Sequence, residues 1–301
     1  MTSQPILIVG TGALATFFAN RLSAAGVEVT MLGTWPEGLA ALGANGARLL
    51  GLDGVERACP VRVTDDPAVC CGARLALVLV KGWQTERAAR QLAACLPPDG
   101  LALTLQNGLG NREVLVAALG AERVAVGVTT IGATLLAPGL AKLGGDGPVS
   151  IETHPRLEPL AALLSAAGVT VNIVEDARSL VWGKLVISAA INPLTALLRV
   201  TNGELLQRPA ARLLMGELAR EAAQVARALG VSLPFENPLE AAEEVARRTA
   251  FNRSSMLQDV MRGAPSEVDS ICGAIIRAGE ETGTPTPVNR VMRLLVKAVV
   301  G

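Results

Sequence analysis

The chain has 301 residues, half of them hydrophobic, enough for one large domain or two modest ones with their own cores. Lys+Arg and Asp+Glu balance at 27 each, so neither a nucleic-acid footprint nor an anionic-membrane surface is expected. Aromatic residues make up 2% and Tyr is absent, which argues against a base-stacking platform and excludes a Tyr–Lys proton relay.

The amino terminus enters an apolar strand within five residues, without a basic segment or a cleavage-type sequence, so no secretory signal is expected. No apolar run reaches the roughly 18 residues of a membrane helix. The cysteines, Cys59, Cys70, Cys71, Cys95 and Cys272, are odd in number and lack C-x-x-C spacing. They suit reduced thiols in a cytoplasmic protein better than a disulfide frame or a zinc site. No metal is expected. The sole His, His154, lies in a polar turn, so histidine-based acid/base chemistry is not expected.

In chain order, residues 6–9 form a continuous apolar run and predict a strand buried on both faces. Helical periodicity follows over 14–25 and Gly26 closes it. Strands are predicted at 27–32, 75–80, 101–105 and 124–129, with helices at 35–45, 86–96 and 111–119 between them. Strand–helix alternation with buried strands predicts a doubly wound, Rossmann-type parallel sheet. The Gly/Pro-rich piece 137–148 reads as a hairpin loop inside this domain. Beyond about 175 the pattern becomes helical, at 177–198, 204–229, 238–250 and 266–282. The expected organisation is therefore a dinucleotide-binding domain over 1–175 and an all-α substrate and catalytic domain over 176–301.

Gly10-Thr11-Gly12-Ala13-Leu14-Ala15 lies between the first strand and the first helix. That context gives the glycines a mechanism. Gly10 permits a tight turn, Gly12 lets backbone approach a pyrophosphate at the helix N-terminus, and Ala15 is a small residue for helix–strand packing. After the second strand stands Gly33-Thr34-Trp35-Pro36, with neither an acid for NAD ribose nor an Arg for the NADP phosphate. Thr34 could donate to a phosphate oxygen, and Arg48 could reach the same place. The missing acid removes one repulsion against NADP.

Lys184 is one of only four lysines, with Lys81, Lys142 and Lys297, and it stands mid-helix in an apolar stretch. Either its stem lies on apolar surface while its head reaches water, or a desolvated amine is poised to donate a proton. Lys184, Ser188 and Asn192 recur at intervals of four and share one helix face. Asn107 follows a strand's carboxyl end, where ligands bind in such sheets, and equally fits a plain Asn-Gly turn. Lys81 ends the preceding strand, either in a site or solvated. Ser266, Glu267 and Asp269 follow Pro265, where acids also suit a helix start.

Several strings together resemble the ketopantoate reductase family, in order and over nearly the whole chain. They are Gly10-Thr11-Gly12-Ala13-Leu14, Val80-Lys81-Gly82-Trp83-Gln84, Gln106-Asn107-Gly108, Trp182-Gly183-Lys184-Leu185, Asn192-Pro193-Leu194-Thr195-Ala196, Asn202-Gly203, Ser254-Ser255-Met256-Leu257-Gln258-Asp259, and Pro265-Ser266-Glu267-Val268-Asp269 with Gly273. The resemblance implies a Rossmann domain followed by a helical domain, with the active site between them. It implies NADPH-dependent reduction of ketopantoate to pantoate, on the route to pantothenate and coenzyme A. Lys184 then matches the family's general acid and Glu267 its active-site glutamate. Asn192, Asn202 and Ser255 match positions that bind the substrate, Asn107 lies near nicotinamide and substrate, and Lys81 is the second lysine of the site. Two departures stand out: position 188 is Ser where the family usually has Asn, and the second-strand Arg is missing. Reduction of a different 2-oxo acid, or dinucleotide sensing without turnover, therefore remains open, and both monomer and homodimer fit.

Overall fold

The computed structural model describes residues 5–300. The first apolar run becomes β1 (Ile6–Val9) and pairs in parallel with β2 (Val29–Leu32) on one side and β6 (Leu75–Val78) on the other. Outward from β2 lies β5 (Arg62–Thr64), and outward from β6 lie β7 (Leu101–Thr104) and β8 (Val124–Thr129), all parallel. Beyond β8 the sheet ends in β11 (Val149–Glu152), which is antiparallel to β8, and β12 (Val171–Val174). Alternate side chains of β1 enter two different cores, Ile6 and Ile8 in one and Leu7 and Val9 in the other. A strand with helices on both faces has no polar side, which is why these runs show no alternation.

Helix α1 (Ala13–Ala24) follows β1, and Phe17 and Phe18, packed edge to face, are buried in its core. Its other neighbour is a second sheet in the order β4-β3-β10-β9, formed by β3 (Ala47–Leu50), β4 (Glu56–Cys59), β9 (Gly132–Ala137) and β10 (Leu140–Gly145). Asn20 of α1 ties the two together by donating to the Ala47 and Arg57 carbonyls at 2.8 and 3.0 Å. The stretch expected as a hairpin loop is thus a turn at Pro138–Gly139 followed by a strand. Its glycines are compatible with pairing to β9, and Ala141 and Leu143 are buried in the core. The remaining helices of this unit are α2 (Pro36–Asn45), α3 (Thr85–Cys95), α4 (Asn111–Leu119) and α5 (Glu158–Ala166).

The chain divides into two compact units, residues 1–106 with 111–177, and residues 178–301 with 107–110. The second unit is helical: α6 (Arg178–Leu198), α7 (Pro209–Ala228), α8 (Pro238–Arg248), α9 (Ser255–Met261), α10 (Val268–Thr282) and α11 (Pro287–Val300). By length and composition α6 is apolar enough to cross a membrane, yet it is the central helix of this unit's core, touched by all the other helices of the unit. Two helices escape the sequence pattern. α9 is short and is set by Ser254, which accepts from the Leu257 N–H at 3.1 Å. The start of α11 is fixed from a distance, because buried Glu221 of α7 accepts from the Val288 and Asn289 N–H groups at 2.8 and 2.9 Å.

Candidate active site

In the first unit the strand order turns back on itself between β1 and β6, and ligands of such sheets bind at the carboxyl ends of the strands there. Gly10 leaves β1 at φ +133°, and a Cβ on it would sit 2.9 Å from the Leu79 carbonyl oxygen, so only glycine fits. Gly12 is different. A Cβ there would meet nothing within 4 Å, and Gly12 is the N-cap of α1. Helix α1 has no side-chain cap and no acid in its first turn, so its opening N–H groups, among them those of Ala13 and Leu14, are offered to an anion. A dinucleotide's diphosphate fits this cradle. Thr11, 8% exposed, lies against Gly33, where any Cβ would meet the Thr11 methyl at 2.6 Å. The first position after β2 can therefore carry no side chain without displacing Thr11, and Thr34 beyond it is exposed. Arg48 has a partner of its own. Its guanidinium is held 2.7 Å from Glu56 of β4, because β3 belongs to the second sheet.

Lys81 precedes a single turn, Gly82–Gln84, and its N–H donates to the Gln84 side chain at 3.2 Å. Gln106, at the end of β7, donates to the Val80 carbonyl and to Thr85 Oγ1, both at 2.9 Å. Thr85 Oγ1 in turn lies 2.8 Å from Asn111 Oδ1. These bonds fix the loops after β6 and β7 to one another and set the backbone that carries Lys81.

The second unit carries Lys184, Ser188 and Asn192 on α6, Ser255 at the start of α9, Glu267 at the start of α10, and Asn107 in the segment 107–110. Lys184, Ser188 and Asn192 are each partly accessible along α6, whereas Leu185, Val186, Ala189 and Ala190 beside them are buried. Burial lowers the Lys184 ammonium from 10.5 to about 8, and the charge of Glu267 acts in the opposite direction. The unfolded chain thus holds a proton that the folded one releases between pH about 8 and 10.5. The folded state is penalised in full below that window and relieved as pH rises through it. Glu267, 5% exposed, is the N-cap of α10, but its side chain makes no capping bond. Capping the helix is therefore not what its carboxylate does.

Asn107 joins this group through the backbone. Gly108 has φ +84°, and a Cβ on it would lie 2.3 Å from the Ser270 carbonyl oxygen, the acceptor of the Leu109 N–H at 3.2 Å. The Asn-Gly pair is thus a turn seated on the first turn of α10, one helical turn from Glu267. Asn202 is buried, and its N–H donates to the Asn252 carbonyl at 3.0 Å.

Three supporting residues stood in the family strings without a role of their own. Thr195 donates to the Asn192 carbonyl at 2.9 Å and lies 2.6 Å from Ser254 Oγ, itself the acceptor of Leu257 N–H. The Thr195 proton is spent on Asn192, so Ser254 is the donor between the hydroxyls. This chain ties the turn bearing Asn192 to the start of α9 bearing Ser255. Gly183 is required because a Cβ would meet the Pro234 ring at 2.7 Å. The i, i+3 spacing of Asn192 and Thr195 was a visible signal. The approach of Pro234 was not. His154 uses Nδ1 to accept the Arg156 N–H at 3.1 Å, a contact within its own turn. Among the described residues no group of His, Cys, Asp and Glu could hold a metal ion.

Two family models match, ketopantoate reductase PanE/ApbA over residues 6–156 and its C-terminal counterpart over 176–300. The chain belongs to the ketopantoate reductase family. Members of this family are pyridine-nucleotide-dependent oxidoreductases. A 2-dehydropantoate 2-reductase from Archaeoglobus fulgidus is 38% identical over 99% of both chains. The crystal structure of a PanE/ApbA family ketopantoate reductase from Ralstonia eutropha superposes with a TM-score of 0.92 at 33% identity, covering 99% of this chain and 98% of that one. D-mandelate dehydrogenase in complex with NADH superposes with a TM-score of 0.87 at 25% identity, covering 99% of each. The ketopantoate reductase fold is therefore compatible with more than one named activity.

Proposed function

We propose that the protein reduces ketopantoate to pantoate with NADPH, and that Lys184 is the general acid. The observation that carries this reading is Lys184 itself, a desolvated amine at pKa about 8, on one helix face with Ser188 and Asn192 and under the charge of Glu267. When bound, the reduced nicotinamide supplies the hydride. Gly10, Thr11, Gly12, Ala13 and Leu14 hold the diphosphate of that cofactor, Lys81 and Asn107 lie along it, and Thr34 faces the ribose end. The absence of a carboxylate after β2 favours the 2′-phosphorylated form. On the substrate side, Asn192, Asn202, Ser188 and Ser255 bind the polar groups of the keto acid. Glu267 keeps the ammonium protonated and positioned. The Lys184 amine delivers its proton to the carbonyl oxygen and stabilises the charge that develops there. With an ordinary pKa of 10.5 the amine would be a weaker acid; near 8 it is both charged at neutral pH and ready to give the proton up.

A second reading is reduction of an aryl 2-oxo acid with NADH. It is favoured by the likeness to the D-mandelate dehydrogenase complex, by Ser188 where the family usually has Asn, and by the lack of an Arg at Thr34. Steady-state assays of NADPH and NADH oxidation with ketopantoate and with phenylglyoxylate separate the two. The expected result is the highest kcat/KM for NADPH with ketopantoate, by roughly tenfold or more over the other pairs, the ratio given by about 1.4 kcal/mol. A preference for NADH with phenylglyoxylate would overturn it.

A further inference from the structure

Arg87, in the first turn of α3, is a desolvated cation with no counter-charge. Its side chain is partly buried and its Nε is sealed from solvent without an acceptor. Among the described residues its guanidinium makes no hydrogen bond and no ion pair. Burial alone acts on its charge, lowering the pKa from 12.5, and no acid offsets it. The Nη groups are not sealed, so the open end of the fork meets solvent. Such a group is costly unless an anion pairs with it. The cations of the neighbouring strands differ: Arg48, Arg57 and Arg62 are already paired with Glu56, Asp53 and Glu28.

The fold sets this fork on the β2 side of the first unit. Helix α3 buries Thr85, Ala88, Leu92 and Cys95. Thr85 faces α4, 2.8 Å from Asn111 Oδ1. Cys95 faces the short turn Pro67–Cys70, which packs on both α3 and β2 and whose Cys70 acts on it electrostatically. At about 100° per residue, Arg87 lies about 80° from Cys95 and about 160° from Thr85, on the flank toward that turn. Leu32, the last residue of β2, shares a core with Val80, Ala88 and Ala89, the residues flanking Arg87 and its loop. Past Leu32 the chain offers only Gly33, closed over by Thr11, and the uncharged, exposed Thr34. A phosphate at this end of the sheet finds no cation on the loop after β2.

We propose that Arg87 binds the 2′-phosphate of the nucleotide, supplying from α3 the cation that the loop after β2 lacks. A guanidinium fork matches phosphate oxygens two at a time, which an ammonium does not. Arg87 is then the residue that sets the preference for the phosphorylated cofactor. This rests on the NADPH reading and deepens it.

The test is equilibrium binding by isothermal titration calorimetry, without turnover. Adenosine 2′,5′-bisphosphate is compared with 5′-AMP, and NADP+ with NAD+, in the wild type, Arg87→Gln and Arg87→Lys. Wild type is expected to bind the 2′-phosphorylated member of each pair more tightly by roughly 10- to 100-fold, the range of a hydrogen bond to a charged group. Arg87→Gln, which keeps most of the stem, brings both ratios close to one by weakening the phosphorylated ligands alone. Arg87→Lys keeps the charge without the fork and falls between the two. Unchanged ratios in Arg87→Gln, or equal weakening of both members of a pair, overturn the role of Arg87 while leaving the NADPH reading intact. A wild type that binds NAD+ more tightly than NADP+ overturns that reading and this proposal with it.

Discussion

The two units use opposite kinds of chemistry. In the first unit the candidate site is made almost entirely of backbone: a glycine at φ +133°, an open glycine at a helix start, and loops stapled by Gln106 and Thr85. In the second it is made of side chains on α6 and at the starts of α9 and α10, set by hydroxyl relays and by burial. Backbone sites tolerate change in side chain but not in shape. Side-chain sites are the reverse, and substitutions should tell them apart.

The largest effect is expected in the second unit. Lys184→Ala should lower kcat by roughly 10²-fold or more, the contribution of one general acid, while the dissociation constant of NADPH measured by fluorescence stays near wild type. Normal turnover would remove the proton-donor role. In the first unit, Gly12→Val places a side chain in the open cradle over α1. It should weaken NADPH binding by roughly tenfold or more, equivalent to about 1.4 kcal/mol, with the melting temperature unchanged. Gly10→Ala should instead show in stability, because the added Cβ meets the Leu79 carbonyl and a non-glycine residue is strained there, at about 1–3 kcal/mol. Thermal denaturation of the pair distinguishes a cofactor glycine from a structural one. If Gly12→Val binds normally, the cradle is not where the diphosphate lies. A smaller effect is expected from Glu267→Gln. Removing the charge that supports the Lys184 ammonium should move the alkaline limb of kcat/KM to lower pH, and an unmoved limb would separate the two residues.

Legibility differed between the units for the same reason. Backbone chemistry writes itself locally, so Gly10 and Gly12 between a strand and a helix, and the buried parallel strands, were readable from short windows. The reversed β11 and the strand Leu140–Gly145 were not, because the direction of a four-residue strand such as β11 is set by its partner β8 and the glycines ending Leu140–Gly145 read as a loop. In the second unit the face carrying Lys184, Ser188 and Asn192 was visible from spacing of four. The seat of Asn107 on α10 was not, since it depends on Gly108 meeting Ser270 across the sequence. The same holds for Arg48, which the sequence left free to approach the cofactor and which the second sheet pairs with Glu56. Ser188 is half-buried on α6 and Thr34 is exposed after β2, and their chemistry depends on ligands and not on neighbours in the chain.

The central claim is that a desolvated Lys184 delivers the proton. The most direct measurement is the pH dependence of kcat/KM for ketopantoate at saturating NADPH. The protonated amine is the active form for reduction, so activity should hold level below pH about 8 and fall above it, tenfold per unit. A profile that stays flat to pH about 10 would contradict it, since the amine would then keep an ordinary lysine's pKa.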